Sequence, residues 1–156
     1  MLQLVYASRA TDAWDGDLHG LCVQCAGHNE REEITGVVLF ENGTFLHALE
    51  GPREGVENIF IEIVQDKRHH SLHLLSRRRL TQREFGYGAM VELDTPEARD
   101  EALSKVGDIV SLAGGAARTA FDEYFGTVGG DPVQRSVPAN DRALAKLWRD
   151  GSGARG

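Results

Sequence analysis

Leu2, Leu4 and Tyr6 alternate with Gln3, Val5 and Ala7, which predicts an opening strand over residues 1–8 that is apolar on both faces. Such a strand belongs in the middle of a sheet covered on both sides. The period then changes. Asp12, Asp15 and Asp17 precede Leu18, Leu21, Cys22, Cys25 and Asn29, a spacing that keeps one helical face and puts acidic residues at the positive helix end. Residues 35–40 and 44–50 read as strands two and three. They are joined at Asn42-Gly43, a pair that tolerates positive φ at both central turn positions. Gly51-Pro52 opens a second helix, with proline at its first position and Val56, Ile59, Phe60, Ile63 and Val64 on its buried face. Residues 72–80 and 88–93 are strands four and five.

Thr95-Pro96 caps a third helix with Ala98, Ala102, Val106, Ile109 and Ala113 on one face, broken at Gly114-Gly115. A shorter apolar stretch over 117–125, a glycine- and proline-rich loop over 126–138 and a short helix capped by Asn140 follow. The tail after Gly151 is expected to be disordered. The fold class is α+β: a ferredoxin-like βαββαββ sheet, two crossover helices on one face and C-terminal helices on the other. Residues 1–94 form the sheet domain, 95–150 a helical extension and 151–156 the tail. Val5, Ala7, Leu46 and Ala48 point away from the crossover helices, and the helix at Pro96 is expected to cover them.

Composition narrows the function. The 156 residues carry a net charge of −7, which disfavours a nucleic-acid partner. The apolar runs are too short to span a bilayer, so no membrane partner and a cytoplasmic location are expected. Cys22-Val23-Gln24-Cys25 is a C-x-x-C within a helix, not at its start, and no second pair completes a zinc site, so no metal is expected.

Alternation places Tyr6 with Leu2 and Leu4, and His47 with Phe45 and Leu49. Both polar side chains then face the crossover helices, and Asn29 projects back from the first of these. A phenol, an imidazole and an amide buried together must find partners. Two readings are open: a polar network that satisfies itself, or a planar ligand bearing donors and acceptors.

Tyr6-x-Ser8, His28-Asn29, Ile34-Thr35-Gly36, Gly43-x-Phe45, Leu49-Glu50-Gly51, Asp66-x-Arg68-His69, Arg83-x-Phe85 and Met90 occur in order between Leu2 and about Leu93. In this series the chain resembles the BLUF domains, blue-light sensors using FAD. The resemblance implies a bound flavin: FAD, with FMN or riboflavin possible. It implies that Asn29 bonds the polar edge of the isoalloxazine, and that Asp66, Arg68 and His69 contact its pyrimidine edge and ribityl chain. Cys25 falls near the ring. Tyr6 matches the tyrosine that gives an electron and a proton to the excited flavin, and Met90 the methionine that helps relay the change.

Two positions depart from the family pattern. His47 stands where the family has its relay glutamine, and Gly88 where it has a semi-exposed tryptophan. The resemblance therefore implies a photoreceptor, not an enzyme, with photochemistry altered at His47 and signalling through an unknown protein partner. The alternative keeps the fold as a flavin-bound or empty interaction module that is insensitive to light. Phe121, Tyr124, Phe125, Leu144 and Trp148 exceed what a short tail needs, so a homo-oligomer, most simply a dimer, is expected.

Overall fold

In the computed structural model, which describes residues 1–126, the two-faced first strand lies inside a five-stranded sheet. The elements are β1 (Leu2–Ala10), α1 (Leu18–Arg31), β2 (Thr35–Glu41), β3 (Thr44–Gly51), α2 (Arg53–Val64), β4 (His69–Arg79), β5 (Val91–Glu92), α3 (Pro96–Ala113) and α4 (Gly115–Phe125). The sheet order is β4-β1-β3-β2-β5. The first four strands pair antiparallel, and β5 runs parallel to β2. This is the α+β, ferredoxin-like plan with one strand added. At the β2–β3 turn, Asn42 and Gly43 both take positive φ, 51° and 75°, as a two-residue hairpin requires.

Strand alternation divides the interior into two cores. Leu2, Leu4, Tyr6 and Leu49 pack with Val56, Ile59 and Phe60 of α2. Val5, Ala7, Leu46 and Ala48 pack on the other face with Ala102, Val106 and Val110 of α3, as the sequence predicts. Helix α4 adds Ala120, Phe121 and Tyr124 to that second core, and the Tyr124 hydroxyl donates to the Ser71 carbonyl on β4.

Several expectations change. Phe121 and Tyr124 are buried within the chain and Phe125 packs against them, so they do not supply the free apolar surface on which the expected dimer rested. Leu144, Trp148, the helix at Asn140 and the tail lie outside the described residues. Pro52 takes the capping position of α2, one residue before its first turn. Of the three arginines ending β4, Arg77 and Arg79 are exposed. Arg78 instead turns inward to Gln3 Oε1 at 2.7 Å and to the Glu84 carboxylate.

Strand five is much shorter than the six residues the pattern suggests. Gly36 N donates to Gly88 O at 3.1 Å and Leu93 N to Val38 O at 2.9 Å, so the chain does run beside β2 over this stretch. Only Val91 and Glu92 complete the ladder. The approach to β5 is held by side chains instead. Glu50, fully buried in β3, accepts from Gln3 Nε2 at 2.7 Å, Glu84 N at 2.9 Å and Phe85 N at 3.2 Å. Arg83 reaches Thr35 Oγ1 and the Glu50 and Glu33 carbonyls. Lys105 of α3 donates to Glu84 O at 2.7 Å.

Gly36 allows this close approach. A Cβ there would lie 2.5 Å from the Ala48 carbonyl oxygen and 3.4 Å from Met90 Cε. Gly36→Ala should therefore cost about 2 kcal/mol through overpacking against backbone. An unchanged urea midpoint would show that the strands part freely at this point.

Candidate functional site

Helices α1 and α2 leave a cleft over the centre of the sheet. Cross-strand pairing sets its floor: Tyr6 opposite His47 and Ser8 opposite Phe45. Val38 pairs with His47 from β2 and extends the same surface. The cleft has two lobes that share Cys25, His47, Ile63, Asp66, Arg68 and Met90. The larger has a volume of about 310 Å³ and adds Gln24, His28, Asn29, Ile59, Glu62 and Gln65. The smaller, about 70 Å³, adds Tyr6, Ser8, Trp14, Leu21, Val38, Phe45 and His69. The larger lobe alone reaches the ~300 Å³ at which small-molecule sites begin.

Every site residue read from the sequence lines this cleft: Tyr6, Cys25, Asn29, His47, Asp66, Arg68, His69 and Met90. Several of their polar groups are already engaged. Asn29, 2% exposed, donates through Nδ2 to Ala89 O at 2.7 Å and so ties α1 to the segment before β5. The Asp66 carboxylate receives Arg68 Nε at 3.0 Å and a terminal guanidinium nitrogen at 2.6 Å, and Arg68 also reaches Gln24 Oε1 at 3.3 Å. Hydrogen bonds from Arg68 hold the Asp66 carboxyl below its usual range, against an opposing effect of burial. His69 donates through Nε2 to the Ile63 carbonyl at 2.6 Å, fastening the end of α2 to β4.

Tyr6 and His47 form the centre of the site. Burial pushes the Tyr6 phenol well above its ordinary pKa. Burial, followed by the nearby His69, pushes the His47 imidazole down to about 3, so the ring is neutral at pH 7. Tyr6 Oη is hydrogen-bonded to His47 Nδ1. The phenol has no other acceptor among the described residues, so it donates to Nδ1, and the imidazole carries its own proton on Nε2. That nitrogen is buried and has no protein partner. It is a donor sealed into the wall of a cleft.

This arrangement carries a pH dependence. An imidazole with a folded pKa below its unfolded value of 6.5 gives stability that is complete above 6.5 and is lost as pH falls towards 3. Within that window one such group contributes a slope of about 1.4 kcal/mol per pH unit. Urea midpoints from pH 7 to pH 4 should show this slope in the difference between the unmodified chain and His47→Gln. A flat difference would mean that the folded imidazole protonates as readily as the unfolded one.

The cysteines do not form a redox pair of the low-pKa kind. Both sit inside α1, and burial raises the Cys22 thiol to about 11 and Cys25 above its ordinary value. No group of three metal-ligating side chains occurs among the described residues, and no described helix is long and apolar enough to cross a membrane. The sequence pattern did not single out Trp14, which sits in an acidic loop without periodicity. Its position comes from edge-on packing against Phe40 and Phe45, with ring centroids 5.5 and 4.9 Å away.

Fold and cleft define a class: a ferredoxin-like α+β domain with a cleft of small-molecule size between its two crossover helices. The family model described as BLUF, sensors of blue-light using FAD, matches residues 1–91, and the chain belongs to that family. It is 39% identical over 67 residues to the photoactivated adenylate cyclase subunit beta of Euglena gracilis, covering 42% of this chain and 8% of the relative. It is 36% identical over 81 residues to the blue light- and temperature-regulated antirepressor BluF of Escherichia coli (strain K12), covering 51% of this chain and 20% of the relative. The solved dark-state structure of BlrB, a BLUF protein, superposes with a TM-score of 0.57 at 26% identity, over 77% of this chain and 94% of that one. The chain thus spans a small part of the curated relatives it matches. Its similarity to the cyclase subunit is to a sensor domain, whose family is one of flavin-using blue-light sensors.

Proposed function

We propose that the chain binds FAD non-covalently between α1 and α2, and that blue light absorbed there controls its interaction with a protein partner. The observation that carries this reading is the unpartnered, buried Nε2 of His47, anchored through Nδ1 to Tyr6. A buried donor left unpaired costs about 1–3 kcal/mol, which a ligand acceptor would recover. An oxidised isoalloxazine suits the cleft, with apolar faces for Ile63, Leu21 and Phe45 and an edge of ring nitrogens and carbonyls for Asn29, Arg68 and His47. Flavin, when bound, supplies the blue absorption and an electron acceptor. The chain's own groups orient it, shield it and hold the Tyr6 proton at His47 Nδ1.

In this reading residues 1–94 are the sensor and the helices from Pro96 onward pass the signal. They do so through Met90, the Glu84–Lys105 contact and α3. The output lies in a separate protein or domain, the site itself is not enzymatic, and the protein works in the cytoplasm. A second reading, an interaction module that holds flavin without a light response, is favoured by one residue, His47 in the relay position.

The test is the colour of the purified protein and its absorption before and after blue light. Bound, releasable FAD is expected. A colourless protein that takes up no added flavin would defeat both readings. Asn29→Ala should weaken flavin binding about tenfold. Part of that loss reflects the lost Ala89 bond, so the unfolding midpoint should fall as well. Equal affinity in the variant would show that the amide serves only the fold.

A further inference from the structure

Among the described residues, three buried side-chain polar atoms have no hydrogen-bond partner: Ser8 Oγ, Trp14 Nε1 and His47 Nε2. The residues bearing them all line the smaller lobe of the cleft. Three unpaired groups gathered in one 70 Å³ cavity are unlike scattered packing defects, because buried polar groups are normally satisfied. Their chemistry is also one-sided. An indole nitrogen is a donor only, the tautomer set by Tyr6 makes His47 Nε2 a donor, and the Ser8 hydroxyl can donate as well. The lobe therefore calls for acceptors.

Trp14 is also held in place. Its indole packs edge-on against Phe40 and Phe45, and its backbone N–H closes a turn onto Thr11 O at 3.0 Å. Thr11 in turn donates through its backbone to Arg68 O and through its hydroxyl to Lys67 O. The β1–α1 loop is thus clamped to the segment that carries Asp66 and Arg68.

We propose that Trp14 Nε1–H, assisted by the Ser8 hydroxyl, donates to an oxygen or ring nitrogen of the bound flavin, a contact separate from those of Asn29, Arg68 and His47. The proposal rests on the flavin reading above. The acceptor belongs either to the ring or to the ribityl chain, and both present the same chemistry to an N–H.

The test compares the unmodified chain, Trp14→Phe and Ser8→Ala. Dissociation constants are measured for FAD, riboflavin and lumiflavin, which lacks the polyol. Phenylalanine keeps an aromatic edge for Phe40 and Phe45 and removes the donor, and apo unfolding midpoints report any loss of fold. About tenfold weaker binding in Trp14→Phe is expected, with a smaller loss in Ser8→Ala. A loss shared by lumiflavin assigns the acceptor to the ring; a loss confined to the other two assigns it to the ribityl chain. In parallel, the indole N–H resonance absent from Trp14→Phe should shift and gain exchange protection when FAD is added to the unmodified chain. Equal affinities for all three flavins, or an indole resonance that flavin leaves unmoved, would overturn this inference while leaving the flavin reading intact. No flavin binding by the unmodified chain would overturn both.

Discussion

His47→Gln should produce a protein whose bound flavin shifts its absorption to the red under blue light, where the unmodified chain shows a weak, altered or absent shift. The physical difference lies in how the two side chains carry their polar atoms. A glutamine amide holds donor and acceptor on one carbon, so a rotation or tautomeric change exchanges them in place. Neutral imidazole holds them on separated ring atoms, and a flip brings C–H to each contact instead. Here the Tyr6 hydroxyl fixes Nδ1 as acceptor and leaves Nε2–H facing the cleft. The amide should restore the exchange, since Tyr6, Asn29 and Met90 remain around it. Difference spectra before and after illumination decide the matter. An ordinary red shift in the unmodified chain would show that imidazole relays after all. No response in His47→Gln would place the fault elsewhere, with Gly88 the next position to restore.

The second large effect is structural. Glu50→Ala should destabilise the protein by on the order of 3 kcal/mol, because Gln3 Nε2, Glu84 N and Phe85 N would together lose a buried acceptor. Urea unfolding measures the total, and hydrogen exchange at the Glu84 and Phe85 amides should accelerate. A loss well under 1 kcal/mol would show that water or a neighbouring carbonyl takes over the three donors.

Glu50 also shows where sequence reading stops. The strands, the hairpin at Asn42-Gly43 and the direction that Tyr6 and His47 share follow from periodicity and turn chemistry, which are local. So does the need for a helix over Val5, Ala7, Leu46 and Ala48. Every cleft residue carried over from the family pattern lines the cleft. What the chain concealed is set by partners far away in sequence. Glu50 lies on the strand face opposite His47, and its role as an acceptor emerges only when residues 3, 84 and 85 converge on it. Arg78 looks like part of a charged edge until Gln3 and Glu84 are placed beside it. Strand five looked six residues long because hydrophobic pattern does not reveal that side chains replace ladder bonds. Trp14 lay in a loop whose position depends on two phenylalanines from other strands. Phe121 and Tyr124 lose their place in the argument for a dimer for the same reason, since apolar count alone does not say which face of the same chain absorbs them.

Side-chain alternation in β1 and β3 has a further consequence. Tyr6 and His47 belong to one core, while Val5, Ala7, Leu46 and Ala48 belong to the other, so within these strands each side chain touches one side only. The sheet is a diaphragm between the two halves. A disturbance at the cleft can arrive at α3 as flexing of strand backbone, or it can travel round the rim, where Glu84 meets Lys105. It cannot pass by direct contact of side chains through the membrane of that drum. Helices on the far side could therefore be exchanged for others of similar shape while the light-gathering side kept its own packing, so one sensing surface could serve many outputs.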